Sequence, residues 1–140
     1  MSDDKEGLRQ EYTEVNSYYR HYSALRFVMF SVYFAVTAGI ASVAFGVVEI
    51  KSYGATAIIG MIRVGGLLVT IAFLMYEKRL EQVIDHYRDW VKKLAEELRY
   101  SEMNNRPNPR RLTFRTTKAL YWVMIVFWCV SVILFAISVI

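Results

Sequence analysis

The stretch FVMFSVYFAVTAGIASVAFGVV, Phe27–Val48, holds no Asp, Glu, Lys or Arg over 22 residues. A helix needs about 20 apolar residues to cross the roughly 30 Å hydrocarbon core of a bilayer. Ala119–Ile140 is a second uncharged run of 22 residues. The whole chain of 140 residues is 55% hydrophobic and 21% charged, so its charges are segregated rather than scarce. A soluble globular fold, a disordered chain and a nucleic-acid-binding domain all fit this pattern poorly, and no nucleic-acid partner is expected.

Working outward from Phe27–Val48, the first transmembrane helix is placed at 24–49, with Leu25–Val48 as its apolar part. The third is placed at 118–140. Between Lys51 and Glu77 lies another apolar stretch, interrupted only by Arg63. Its halves, Ser52–Ile62 and Val64–Tyr76, are each too short to cross alone, so together they predict one span at 55–76. A short external turn at 50–54 makes the first two spans a tight antiparallel hairpin. Basic residues near span ends set direction. Glu77–Lys118 carries eleven Lys and Arg against seven Asp and Glu, which predicts a cytoplasmic connection, a cytoplasmic N-terminus and an external C-terminus. Arg20 and Arg26 agree. Ser2, Asp3 and Asp4 open the chain without a basic n-region, so the first run reads as a retained span and not a signal peptide.

The polar segments also read as helices. In segment 1–23, Leu8, Tyr12, Val15, Tyr19 and Tyr22 recur at 4, 3, 4 and 3 residues, one face of an amphipathic helix. In segment 77–103, Leu80, Ile84, Tyr87, Val91, Leu94 and Leu98 repeat the pattern. Val83 and Trp90 widen that stripe, and Asp89 with Lys93 is spaced for an i,i+4 pair. Nothing in the sequence breaks a helix between Leu67 and Met103, so one helix from Thr56 to Met103 is expected, near 70 Å long at about 1.5 Å per residue. The two stripes can pair antiparallel, drive cytoplasmic assembly between copies, or meet lipid. Asn104 and Asn105 suit a left-handed cap, and Pro107 and Pro109 stop helix propagation. A basic linker, 104–117, follows. The expected fold is thus an all-α membrane protein with three transmembrane helices and a cytoplasmic antiparallel helical extension.

Arg63 is the most informative residue, because charges inside spans are costly and face protein or water. It is a pore or gating candidate; the alternative is a structural arginine that reaches the outer interface or pairs with Glu49. Ser31, Ala35, Gly39, Ser42 and Gly46 form a small-residue stripe on the first span, and Thr56, Gly60, Gly65 and Gly66 lighten the second. Such residues let helices approach closely, within the hairpin or between copies. Arg106, Arg110, Arg111, Arg115 and Lys118 cluster against no acid and read as an anionic-lipid contact. Thr116 or Thr117 is expected to cap the third span. Tyr121 and Trp122 read as interfacial anchors, and the deeper Trp128 as a packing residue.

No catalytic site is expected. His21 and His86 lack metal-ligand spacing, no hydroxyl has a nucleophile context, and the single Cys129 allows neither an internal disulfide nor a cysteine-built metal site. No cofactor and no metal are implied.

The run Tyr18-Tyr19-Arg20-His21-Tyr22-Ser23-Ala24-Leu25-Arg26, leading into a span, resembles the corresponding segment of SLATT-type bacterial membrane effectors. Those are a transmembrane hairpin followed by a charged amphipathic helix, which Tyr76–Tyr100 also resembles. The resemblance covers about residues 12–103; the two-span form has no counterpart of Ala119–Ile140. The chain is also similar to small three-span bacterial inner-membrane proteins. The resemblance implies a bacterial inner-membrane location and a homo-oligomer that permeabilises the membrane in anti-phage defence. A non-conducting adaptor that binds a soluble cytoplasmic protein partner, or a lipid-binding accessory subunit, are the alternatives.

Overall fold

The computed structural model describes residues 2–46, 54–100 and 110–139, with side chains for 5–46, 54–100 and 116–138. Among the described residues every regular element is helical. Helix α1 is Ser2–Ala44, α2 is Ala55–Glu97 and α3 is Arg110–Val139. All three are long and apolar enough to cross a membrane. Both prolines of the chain, Pro107 and Pro109, fall outside these helices, so no missing N–H interrupts them.

Helix ends depart from the sequence expectation. Helix α1 ends at Ala44 rather than near Val48, because Gly46 takes φ +75° and its N–H bonds back to the Val43 carbonyl at 3.3 Å. Gly46 therefore terminates the helix instead of extending the small-residue stripe along it. Helix α2 ends at Glu97, short of Met103. Arg99 sits at φ 57°, the Tyr100 N–H reaches the Ala95 carbonyl at 2.9 Å, and the Arg99 N–H reaches Glu96 at 3.0 Å. This is a Schellman closure, built on an arginine instead of glycine. A non-glycine residue in the left-handed region leaves no composition signal, which is why the sequence reads as unbroken. The expected caps Asn104 and Asn105 lie outside the described residues. Helix α3 starts at Arg110, so Arg110–Thr117 is helical where a linker is expected, and Thr116 and Thr117 lie inside the helix instead of capping it.

The chain divides into two compact units, and α1 and α2 each contribute to both. Unit 1 comprises 1–29 and 77–109. Here the two 4–3 stripes meet: Val15, Val91 and Leu94 are buried together, with Leu8, Tyr12, Tyr19 and Tyr87 against them. Leu80 and Ile84 are also buried, while Tyr87 and Leu98 are half-buried. The Tyr87 ring stacks on both Tyr18 and Tyr22, with centroids 5.6 and 5.4 Å away. Tyr100, delivered by the Arg99 turn, meets Tyr12 edge-on at 5.4 Å. Arg26 Nε donates to the Glu77 carboxylate, and the two side chains are only 16% and 4% exposed. Asp89 and Lys93 do not pair; both are exposed, where an ion pair is worth little against side-chain entropy. Arg88 instead reaches Asp85 at 3.4 Å.

Unit 2 comprises 30–76 and 110–140. Its core is Tyr33, Leu74 and Tyr121, surrounded by Phe30, Phe73, Met124 and Ile125. The facing pairs fix the topology. Tyr33 meets Thr70 and Ala44 meets Arg63, so α1 and α2 are antiparallel. Gly60 lies under Phe135, Arg63 faces Ser131 and Gly66 lies under Trp128, so α2 and α3 are antiparallel with an even register. Tyr33 against Tyr121 and Phe45 against Trp128 make α1 and α3 parallel. The unit is an up-down-up three-helix bundle.

Two glycines set how closely α2 and α3 approach. A Cβ added at Gly66 would lie 2.7 Å from the Trp128 ring, and one at Gly60 would lie 2.8 Å from Phe135; one at Gly65 would meet nothing within 4 Å. Gly66→Ala is expected to destabilise the bundle by about 1–3 kcal/mol through overpacking. Gly65→Ala should be neutral or stabilising by up to about 1 kcal/mol through helix propensity. Unfolding in mixed micelles measures both, and equal effects would refute the close-approach assignment.

The Arg26–Glu77 pair gives a second expectation. Removing one partner leaves a buried charge, so Glu77→Gln or Arg26→Met alone should each cost about 3–5 kcal/mol. The double replacement Arg26→Met with Glu77→Leu should recover most of the loss. Additive losses in this double-mutant cycle would show that the pair is not coupled.

Candidate functional site

The candidate site is built around Arg63, whose side chain touches all three helices of unit 2. Its Nη2 donates to the Ala44 carbonyl at 3.1 Å and its Nη1 to the Ser131 carbonyl at 3.0 Å. The guanidinium carbon lies 5.2 Å from the Phe45 ring centroid and 4.7 Å from that of Phe135. Aromatic faces thus cover the cation while its edges bond to backbone.

The Ala44 bond follows from helix chemistry. The last four carbonyls of a helix have no intrahelical partner. At the end of α1, Ala41 is answered by the Phe45 N–H at 3.0 Å and Val43 by Gly46. Ala44 is buried, and its carbonyl is answered by Arg63. A cation there also lies favourably at the negative end of the helix dipole. Arg63 caps a neighbouring helix, an arrangement that no local motif announces. Glu49, the alternative partner read from the sequence, lies outside the described residues.

One turn along α2, Gly66 opens a notch for Trp128, which is fully buried. The next turn carries Thr70, whose hydroxyl donates to the Gly66 carbonyl at 2.8 Å and accepts from the Tyr33 hydroxyl at 3.4 Å. Among the described residues of this unit, four polar atoms are buried without a partner: Arg63 Nε, Trp128 Nε1, Ser131 Oγ and Thr37 Oγ1. Thr37, Thr70 and Ser131 were not singled out by sequence. The signal that could have found them is polar residues at the spacing of aromatic core positions inside apolar runs.

The other sequence-derived candidates are distributed differently. Ser31, Ala35 and Gly39 are exposed on α1, and Ser42 is half-buried with its hydroxyl bonded to Ala38 at 2.7 Å. The inward face of α1 is instead Tyr33, Thr37 and Ala44, so in this chain the stripe is not a contact within the hairpin. Leu80, Ile84, Val91 and Leu94 are buried within one chain. Tyr121 is a core residue packed on Tyr33 and not an interfacial anchor, whereas its neighbour Trp122 is 59% exposed. Lys118 is half-buried on α3. Arg110, Arg111 and Arg115 lie on the first turns of α3 without described side chains, and Arg106 lies outside the described residues. His21 and His86 are exposed and contact only aromatic neighbours in their own helices among the ring contacts, at Tyr22, Tyr87 and Trp90. Among the described residues no three His, Cys, Asp or Glu converge to hold a metal ion.

No protein-family model matches this chain, and neither a curated protein nor a solved structure matches it. The functional reading therefore rests on the chain's own residues.

Arg63→Met is expected to destabilise unit 2 by about 1–3 kcal/mol, because the buried Ala44 carbonyl loses its donor. Arg63→Lys keeps the charge but cannot span two carbonyls with a planar fork, so it should recover only part. Hydrogen exchange should rise most at residues 41–46 in both variants. Uniform exchange along α1 would argue against the capping role.

Proposed function

We propose that this chain is a multi-pass membrane protein that assembles as a homo-oligomer and perturbs or permeates the bilayer, with Arg63 as its gating residue. The observation that carries the reading is the outward placement of Ala35 and Gly39, with Ser31, on an apolar helix. A Cβ added at Gly39 would meet nothing within 4 Å, so the close-packing surface is open in a single chain. Residues four apart lie on one helical face. In lipid, apolar area alone does not drive helices together, and small-residue faces permit the close backbone approach that does. A second copy is the partner that fits.

Arg63 supports gating by its position. Its two carbonyl bonds hold α1 and α3 to α2, so releasing one side chain loosens the whole bundle. Helices α1 and α2 have 43 residues each, about 65 Å at helical rise, against a core of roughly 30 Å. The polar parts of both then belong outside the membrane, and the basic excess of 77–118 supports a cytoplasmic side for them. Arg106, Arg110, Arg111, Arg115 and Lys118 would contact anionic headgroups there. The SLATT resemblance supports a bacterial inner-membrane effector with this arrangement.

A non-conducting adaptor is the second reading, favoured by the intrachain engagement of Arg63, with a soluble cytoplasmic protein as partner. The mass of the detergent-extracted complex and dye release from liposomes test both. Oligomers that leak dye, with both properties lost in Gly39→Leu, are expected. A monomer would overturn assembly; a tight oligomer that never leaks, even as Arg63→Met, would favour the adaptor.

A further inference from the structure

We propose that the contact between α2 and α3 in unit 2 is a binding site for a small anion of the halide class, chloride above all, held by Arg63 Nε–H, Trp128 Nε1–H and the Ser131 hydroxyl. These three groups are buried and have no hydrogen-bond partner. Trp128 is 0% and Ser131 6% exposed. Their residues share one stretch of the α2–α3 contact. Arg63 bonds to the Ser131 carbonyl, and three residues along each helix Gly66 lies under the Trp128 ring. The four positions form two facing pairs one helical turn apart, about 5 Å by helical rise.

The Ser131 hydroxyl departs from its counterparts. Hydroxyls of Thr13, Ser23, Ser42, Thr70 and Ser138 all bond back to a carbonyl three or four residues earlier. That is the default for a helical Ser or Thr, since it satisfies the group locally. Ser131 and, on α1, Thr37 forgo it at buried positions, where an unmet hydroxyl is costly.

The chemistry of the set selects the ligand. Arginine and tryptophan N–H groups only donate, and the arginine is cationic. Among the described residues no carboxylate pairs with Arg63. A water molecule would bring two hydrogens of its own to a place where the serine oxygen is the single side-chain acceptor in the set. An anion brings none, accepts all three bonds and compensates a charge that is costly inside an apolar segment. The tight seat of Trp128 on Gly66 favours a monatomic ion over an oxyanion. This inference concerns a single chain and does not depend on assembly or conduction.

The test is thermal unfolding of the purified protein in detergent, in sodium chloride against sodium gluconate at equal ionic strength. A ligand of the native state raises Tm with its concentration, here by about 4 °C for each tenfold rise above the dissociation constant. Bromide should substitute for chloride. Ser131→Ala, which keeps the packing volume nearly unchanged, and Trp128→Phe, which keeps an aromatic ring but removes the N–H together with part of the buried ring system, should each shift the halide midpoint at least tenfold upward. Chlorine NMR line broadening by the unmodified protein, saturable and competed by bromide, is expected independently of any variant. Coincident chloride and gluconate curves without saturable broadening would overturn the proposal in favour of water. A halide response undiminished in both variants would place it elsewhere and overturn it. A response that appears only in Glu49→Gln would assign the role to an internal carboxylate and overturn it as well.

Discussion

A guanidinium inside an apolar helix must place five donors and one charge, and unit 2 is organised around how Arg63 does so. Two donors go to backbone carbonyls of α1 and α3, and the ring faces of Phe45 and Phe135 cover the cation. The consequences spread along the chain. Helix α1 can end at Ala44, buried, because its last carbonyl has a partner from another helix. The register of α3 follows from Ser131 facing Arg63, which in turn sets Trp128 over Gly66 and Phe135 over Gly60. A charge in apolar surroundings is normally a liability. Here it ties together three helices that apolar packing alone would leave free to slide.

The two units rest on different physics. Unit 1 combines a 4–3 stripe, a tyrosine stack and the shielded Arg26–Glu77 pair. Its specificity is charged and aromatic. Unit 2 relies on interdigitation of large rings with glycines, plus a short hydroxyl relay from Tyr33 through Thr70 to the Gly66 carbonyl. That is the expected solution where hydrophobic burial no longer distinguishes helix from lipid: backbones approach closely, and polar groups such as Thr70 find partners inside.

The legible part of the fold was the part written in periodicity. The uncharged runs and the 4–3 spacing of Leu8–Tyr22 and Leu80–Leu98 identify helices and their inner faces in unit 1, because a polar outer face contrasts with an apolar inner one. The same reasoning leaves α1 in unit 2 open. Ser31, Ala35 and Gly39 read as a packing face within the hairpin or between copies; they are exposed in the single chain, where Tyr33 and Thr37 face inward. When every position is apolar or small, composition carries no signal for which side turns in; only the partner's shape decides. Tyr121 and Trp122, adjacent and chemically alike, illustrate this, one in the core and the other outside.

By itself the amino-acid sequence determined that the chain is helical, that three segments are apolar enough to cross a bilayer, and that Arg63 is the anomaly among them. Those properties follow from local composition and from the cost of charge in apolar surroundings. The tertiary structure decided where α2 stops, through Arg99 in a left-handed turn, and which glycines admit a ring. It also decided what Arg63 does, since its partners are carbonyls at Ala44 and Ser131, 19 and 68 residues away. Backbone acceptors carry no side-chain identity, so an interaction made to them leaves no trace in the letters of the sequence and exists only once the helices are in register.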